Sequence, residues 1–486
     1  MSPLAQRLAR NFTWLTIQEA SVSVIGLVMT IYLARTLGPS SYGALGLAVA
    51  IVGVIATLVR AGSGTRATRQ TALNPENVPV IYAQLIGFRL VSAVAGIVLL
   101  VALAPLLSEK LSFSAALLIL CSLLLAKSAL TVVWAFRGLD QMQVNAAANV
   151  TEKALTLLGV LLLVKGQGND VLWVPIVEVT AAVLIVWWLR KRLERIYPRL
   201  VIEFRTQDWP AIAREAVPLG LAGLMGSVWM HGAVLILGWF TTSEAAAGFL
   251  VAQKVVLTLG LMMIVINRAA FPSTSRLLSG DSAAALNMLA SLMRYYLVTV
   301  TPVILLVAFH AGDMLDLLFG AAYADVAPTM IIMLASLPLL ALNQNLDLLL
   351  KAIPKPGLVL VTRTIAALVL VSLALLLIPR MGMLGAALAV VGSDFTAMLV
   401  LLVLVRRATG GLPLNFRCLS PFVAGGAAAA AYWMCNDWTV AMKLPVAGIV
   451  YLVATGLTKG VTADEVRSLS KLAVHTAREP GSLSRD

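Results

Sequence analysis

This chain predicts an all-helical integral membrane protein, and three observations lead there. Its apolar residues fall in fourteen blocks, each about long enough to cross a bilayer, with short polar connections between them. Hydrophobic residues make up 60% of the 486 and charged residues only 12%, against about a quarter charged in a soluble protein. The basic residues concentrate in alternate connections, which fixes a topology. A hydrocarbon core of about 30 Å needs about 20 apolar residues in a helix, so fourteen crossings account for most of the chain.

The first block, 11–35, carries Gln18 and Glu19, is too long for a cleaved signal peptide and is followed by thirteen more, so it is expected to stay in the protein. A short turn at Gly38-Pro39 leads into 41–59, and the next blocks are 79–105, 113–136, 143–164 and 170–189. Interfacial aromatics support two of these ends: Trp134 precedes Arg137, and Trp187 with Trp188 precedes Arg190, Lys191 and Arg192. After a basic connection reaching Glu215 come 215–239, 244–267, 284–308, 326–350, 357–378 and 381–405, then 419–436 and 442–458. Pro218, Gly220, Gly223 and Gly226 in the seventh block would let helices bend or pack closely. Beyond the last block, Thr462-Ala463-Asp464-Glu465 reads as a capping box opening an amphipathic helix on the inner membrane surface, with Val466, Leu469 and Leu472 on one side.

With the N-terminus inside, only Arg35, Lys110, Lys165, Arg380 and Lys443 of the 36 Lys and Arg residues fall in outer connections, so both termini are predicted to be cytoplasmic. The basic connection divides the chain into two six-helix lobes of the same orientation, residues 1–195 and 196–410, with two helices and the tail in 411–486. Such halves suggest parallel repeats about an axis normal to the membrane, with a substrate site between lobes near the midplane. The hairpins Leu33 to Arg69 and Leu237 to Arg276 echo one another: a short outer turn, a Gly-containing helix and a basic inner loop.

No connection is large enough for a soluble catalytic domain, and the helices show no metal-ligand spacing, nucleophile elbow or phosphate loop, so an enzyme and a bound cofactor are not expected. Cys121, Cys418 and Cys435 lie far apart and read as packing residues. The formal charge of +13 belongs to the inner loops rather than to a nucleic-acid surface.

Arg89, Lys127, Lys153 and Lys254 lie near the midplane of their blocks, where each would cost about 2.5 to 3.5 kcal/mol facing lipid. They therefore either line a cavity that attracts anions or pair with Glu19, Glu152, Glu178, Asp347 and Asp394. Glu19, Glu178 and Asp394 are also candidates for binding a coupling proton or cation such as sodium, while His231 reads as a hydrogen-bonded packing histidine, a proton relay or a sugar contact.

The segment Leu33-Ala34-Arg35-Thr36-Leu37-Gly38-Pro39-Ser40-Ser41-Tyr42-Gly43, with Arg60-Ala61-Gly62-Ser63-Gly64-Thr65-Arg66 after the following helix, resembles the opening hairpin of polysaccharide-export, O-antigen (Wzx-type) flippases. These belong to the multidrug, oligosaccharidyl-lipid and polysaccharide exporter superfamily. Arg214-Glu215-Ala216-Val217-Pro218-Leu219 resembles the start of that family's seventh helix, whereas Val59-Arg60-Ala61-Gly62 replaces the Asp-Leu-Gly often found after its second. The resemblance implies a bacterial inner-membrane protein. It would move an undecaprenyl-pyrophosphate-linked oligosaccharide to the periplasmic leaflet for O-antigen, capsule or exopolysaccharide assembly, beside a polymerase and glycosyltransferases.

On that reading Arg89, Lys127, Lys153 and Lys254 would meet the pyrophosphate in the cavity. Arg60, Arg66 and Arg69, with Arg268 and Arg276 at the equivalent place on the second lobe, would capture it at the inner mouth or simply set topology and touch lipid phosphates. The alternatives are a lipid II flippase, a multidrug/cation antiporter, which a cationic cavity suits poorly, and a structural scaffold.

Overall fold

The computed structural model describes residues 3–460 except 61, 112, 205, 281, 353–355, 414–415, 436–437 and 459, and at some further positions only the backbone. The predicted tail helix from Thr462, the side chains of Arg268 and Arg276, and those of 215–219 lie outside the described residues.

Among the described residues every regular element is helical. The N-terminal lobe comprises α1 (Pro3–Arg60), α2 (Ser63–Leu73), α3 (Val78–Leu111), α4 (Ala115–Ser122), α5 (Leu124–Leu130), α6 (Val133–Gly138), α7 (Met142–Leu163) and α8 (Trp173–Glu194). The second lobe comprises α9 (Trp209–Phe240), α10 (Ser243–Gly280), α11 (Ser282–Phe309), α12 (Ala311–Phe319), α13 (Ala327–Leu334), α14 (Ser336–Ala352), α15 (Pro356–Met381) and α16 (Met383–Thr409). The pair α17 (Ser420–Met434) and α18 (Val440–Leu457) follows and rests on α11, where Tyr451 donates to the Val298 carbonyl at 2.8 Å.

Eleven helical stretches among the described residues are long and apolar enough to cross a membrane, and the chain is a multi-pass membrane protein. One of the eleven, Thr13–Arg60, runs through a sharp break at Gly38, whose φ of 72° and ψ of 171° are open to glycine and strained for other residues; Pro39 then forbids continuation of the preceding helix. Two predicted blocks, 113–136 and 326–350, are interrupted: one at Leu123 and again at Thr131 and Val132, the other at Ala335. Each is the fourth of its lobe, and broken helices at matching places in two halves are a feature of repeat-built transporters.

The lobes meet along the second half of α1. Gly43, Gly46 and Gly53 bring it onto Ser243 and Leu250 of α10 and His231 of α9 so closely that none of the three leaves room for a methyl group. Small residues permit this approach because helices in lipid associate by packing, with no hydrophobic drive between them. From the other side, Gly238 of α9 receives Leu47, and Gly223 lies against Thr57. Gly226 meets nothing within 4 Å. The start of α9 is fastened to α3, with Phe88 and Trp209 in edge contact at 6.0 Å between ring centres.

Candidate functional site

At the end of the bundle carrying the Gly38 turn, the lobes are fastened together. Arg35 of α1 donates to the carbonyls of Leu317 at 2.5 Å and Asp316 at 3.5 Å, the last turn of α12. Tyr323 donates to the Ala34 carbonyl at 3.4 Å, and the Lys110 ammonium sits 5.3 Å from the centre of the Trp239 ring. Arg35 faces carbonyls at the negative dipole end of a helix, the favourable place for a cation.

Below this seal lies a cavity of about 440 Å³ between the lobes. Ser23, Thr30 and Tyr42 of α1 and Glu178 of α8 line it from one side, and His231 of α9 with Gln253 and Lys254 of α10 from the other. Glu178 is paired at 3.6 Å with Lys153 of α7, while among the described residues Lys254 has no carboxylate within ion-pair distance. Lys153 and Lys254 repel one another, so this group holds two cations and one anion. Gly26 of α1 makes room for Lys254: a Cβ there would fall 2.8 Å from the ammonium. Gln253 donates to the Met230 carbonyl at 3.3 Å, tying α10 to α9 beside His231.

A second cavity of about 460 Å³ lies inside the second lobe, lined by Trp229, Asn343, Asp347, Arg363 and Asp394. Trp229 donates its indole N–H to Asp394 at 3.1 Å, and Asn343 donates to the Asp394 carbonyl at 2.9 Å. Asp347 holds Lys351 at 2.7 Å and Arg363 at 3.2 Å. Among the described residues the buried side-chain oxygen of Asn343 has no hydrogen-bond partner and remains available as an acceptor.

The predicted cations therefore separate. Lys254 lines the cavity between lobes, and Lys153 reaches it through Glu178. Lys127 is ion-paired with Glu152 of α7 and lines a different groove, on the flank of the first lobe. Arg89 is 2% exposed and donates its Nε to Ser63 of α2 at 2.9 Å. Arg60 lies close enough to repel Arg89 and bonds Ser128 at 3.2 Å and Thr57 at 3.3 Å. Two guanidiniums thus share the end of the first lobe away from the Gly38 turn. Arg66 is half-buried with a contact of its own, as is Glu19, and neither lines the two cavities.

Sequence reading passed over Gly26, Gln253, Trp229, Asn343 and Arg363. An amide or indole in an apolar block, or at Arg363 a charge in one, signalled the polar ones, and Gly26 had no signal beyond being small.

Residues 8–278 match the family described as Polysaccharide biosynthesis protein. A Shigella dysenteriae protein named as a candidate O-antigen transporter is 26% identical over 176 residues; the match takes in 35% of this chain and 43% of that protein, under half its length. Among solved structures, the lipid II flippase MurJ in an inward closed conformation superposes with a TM-score of 0.74, covering 90% of this chain and 96% of that one at 14% identity. An inward-facing multidrug resistance MATE family transporter of the MOP superfamily gives a TM-score of 0.61 over 80% of this chain and 94% of that one at 16% identity. A MOP superfamily transporter from Pyrococcus furiosus gives 0.58 over 84% of this chain and 96% of that one at 17% identity, and its pocket is described as having reversed polarity. The fold is thus that of MOP superfamily transporters. With its match running over more than half of its length, the chain belongs to the polysaccharide biosynthesis protein family.

Proposed function

We propose that the protein is a flippase that carries a polyprenyl-pyrophosphate-linked oligosaccharide from the cytoplasmic to the periplasmic leaflet of the bacterial inner membrane. The observation that carries this reading is Lys254, a cation in the cavity between lobes with no carboxylate at ion-pair distance among the described residues. Each sugar hydroxyl moved unpaired into hydrocarbon costs about 4 to 8 kcal/mol, so the headgroup needs a polar passage while the polyprenyl tail stays in lipid. A pyrophosphate supplies the charge that Lys254 lacks.

In this scheme the chain crosses fourteen times, with α1 counted twice at Gly38 and α17 and α18 as the last two, and both termini are cytoplasmic. The lobes 1–195 and 196–410 rock about the glycine contacts of α1. Arg60 and Arg89, with Arg66 and Arg268 at the inner mouth, receive the pyrophosphate before it reaches Lys254. Lys153 stays masked by Glu178 until the incoming anion competes for it, and Lys127 is held by Glu152 away from this path. Asp394, bonded to Trp229, is the coupling-ion candidate best placed to sense the second lobe's packing, with Glu178 and Glu19 as the others. A polysaccharide polymerase and glycosyltransferases are the partners this role implies.

The test is replacement of Lys254 in the full-length protein. Lys254→Glu should abolish surface polysaccharide and leave glycosylated lipid on the cytoplasmic face, whereas Lys254→Arg should retain export. Normal export by Lys254→Glu, at wild-type protein level, overturns the reading. Loss of viability in a strain lacking all surface polysaccharide genes would point instead to lipid II.

A further inference from the structure

A second ligand-sized feature lies on the flank of the first lobe, outside the cavity between lobes. A groove of about 380 Å³ runs between α5 and α8, with Tyr82 of α3 at one margin and Leu123, Leu130, Val183 and Trp187 along it. Val183 is 62% and Trp187 60% exposed, so the groove opens towards the surrounding lipid. Of its two charged lining residues, Lys127 is neutralised by Glu152 and Arg190 by Glu194, which leaves the rest of the groove suited to hydrocarbon.

Trp187 also borders an adjoining depression of about 470 Å³ formed by Trp188, Lys191, Arg192, Glu194 and Arg195. Glu194 binds Arg190 and Lys191, each at 2.9 Å, and holds both in place. Arg192 lies 5.7 Å from the centre of the Trp188 ring. Three cations, Lys191, Arg192 and Arg195, thus share this depression with one carboxylate and two indoles, at the end of a membrane helix where headgroups lie.

From these two adjoining surfaces we infer a binding site for an anionic phospholipid of the bilayer, its phosphate among Lys191, Arg192 and Arg195 and one acyl chain in the groove between α5 and α8. Charge complementarity selects the anionic headgroup, because two net positive charges are grouped where a zwitterionic lipid would leave them uncompensated. The apolar groove leading away from the cations selects an amphiphile over a free phosphate. The groove shares no lining residue with the cavity between lobes, so its occupant is a resident lipid and not the cargo of that cavity.

The inference is independent of the proposed transport function and is tested on the purified full-length protein without any transport assay. Native mass spectrometry and thermal melting in detergent would be read with added phosphatidylglycerol or cardiolipin and, separately, phosphatidylcholine. The wild type should retain the anionic lipids and gain several degrees in melting temperature that phosphatidylcholine does not confer. Arg192→Gln with Arg195→Gln should weaken anionic-lipid retention about tenfold. Ala182→Trp, filling the groove, should reduce it with every cation still present, and its folding is checked by monodispersity and helical content. Equal retention by wild type and both variants, or equal stabilisation by phosphatidylcholine, overturns the inference. So does retention of undecaprenyl phosphate in preference to the bilayer lipids.

Discussion

The ammonium of Lys254 on α10 occupies the space that the missing side chain of Gly26 on α1 leaves open, 2.8 Å from where a Cβ would stand. A residue of the second lobe is therefore positioned by the absence of one in the first. Gly26→Val should expel Lys254 from this place and cut export at least tenfold, while Gly26→Ala, displacing only the far end of a flexible side chain, should retain a measurable fraction. Surface polysaccharide per cell at matched protein level is the measurement.

Lys153 and Glu178 form the ion pair that reaches the same cavity. Lys153→Glu places two carboxylates together and Glu178→Lys adds a third cation beside Lys254, so each alone should impair export. The exchanged pair, Lys153→Glu with Glu178→Lys, should recover more than either, with a coupling of about 0.5 to 3 kcal/mol typical of residues in contact. Strictly additive losses would show that the pair does not act as a unit.

In the proposed orientation Arg35 secures the outer seal by donating to the carbonyls of Asp316 and Leu317. A cation at a helix C-terminus contributes about 0.3 to 1 kcal/mol, so Arg35→Gln should raise the outward-open population by about two- to five-fold. With Cys121, Cys418 and Cys435 replaced, labelling of a cysteine introduced at Ser23 by an impermeant thiol reagent from outside reads this directly.

Gly43 faces the backbone carbonyl of Ser243, which cannot swing aside as a side-chain end can. Gly43→Ala should destabilise the contact between lobes by about 1 to 3 kcal/mol, the usual cost of overpacking, and lower the melting temperature in detergent. Gly226→Ala, with open space around it, should leave the melting temperature within about a degree.

Asp394 is buried and accepts the Trp229 indole N–H. Asn at this position keeps an acceptor for Trp229 and removes the ionisable group. Asp394→Asn should therefore fold normally and lose the dependence of export on a proton or sodium gradient. Export by Asp394→Asn that still collapses with the gradient would exclude Asp394 as the coupling group.

Much of the fold was legible because hydrocarbon demands a long apolar helix for each crossing, and blocks such as 79–105 and 381–405 return as α3 and α16. The breaks at Leu123 and Ala335 were not legible, since neither residue resists helix and the interruption depends on what packs around it. The site was only half visible. Arg89, Lys127, Lys153 and Lys254 stand out as charges in apolar blocks, yet their sequence positions are equally compatible with a cavity, a groove or an ion pair. Glu152, adjacent to Lys153, in fact pairs with Lys127 across to α5, and Lys153 turns to Glu178 on α8.

The sequence alone determined that the chain lives in a membrane and how its helices follow one another, because transfer free energy and loop charge act residue by residue along the chain. Which cations are neutralised, and that Lys254 shares a cavity between lobes with Glu178 and His231, was decided only by tertiary structure. The reason is that burial and Coulomb energy depend on distance in space: Gly26 and Lys254 are far apart in sequence and become neighbours only when α1 packs on α10.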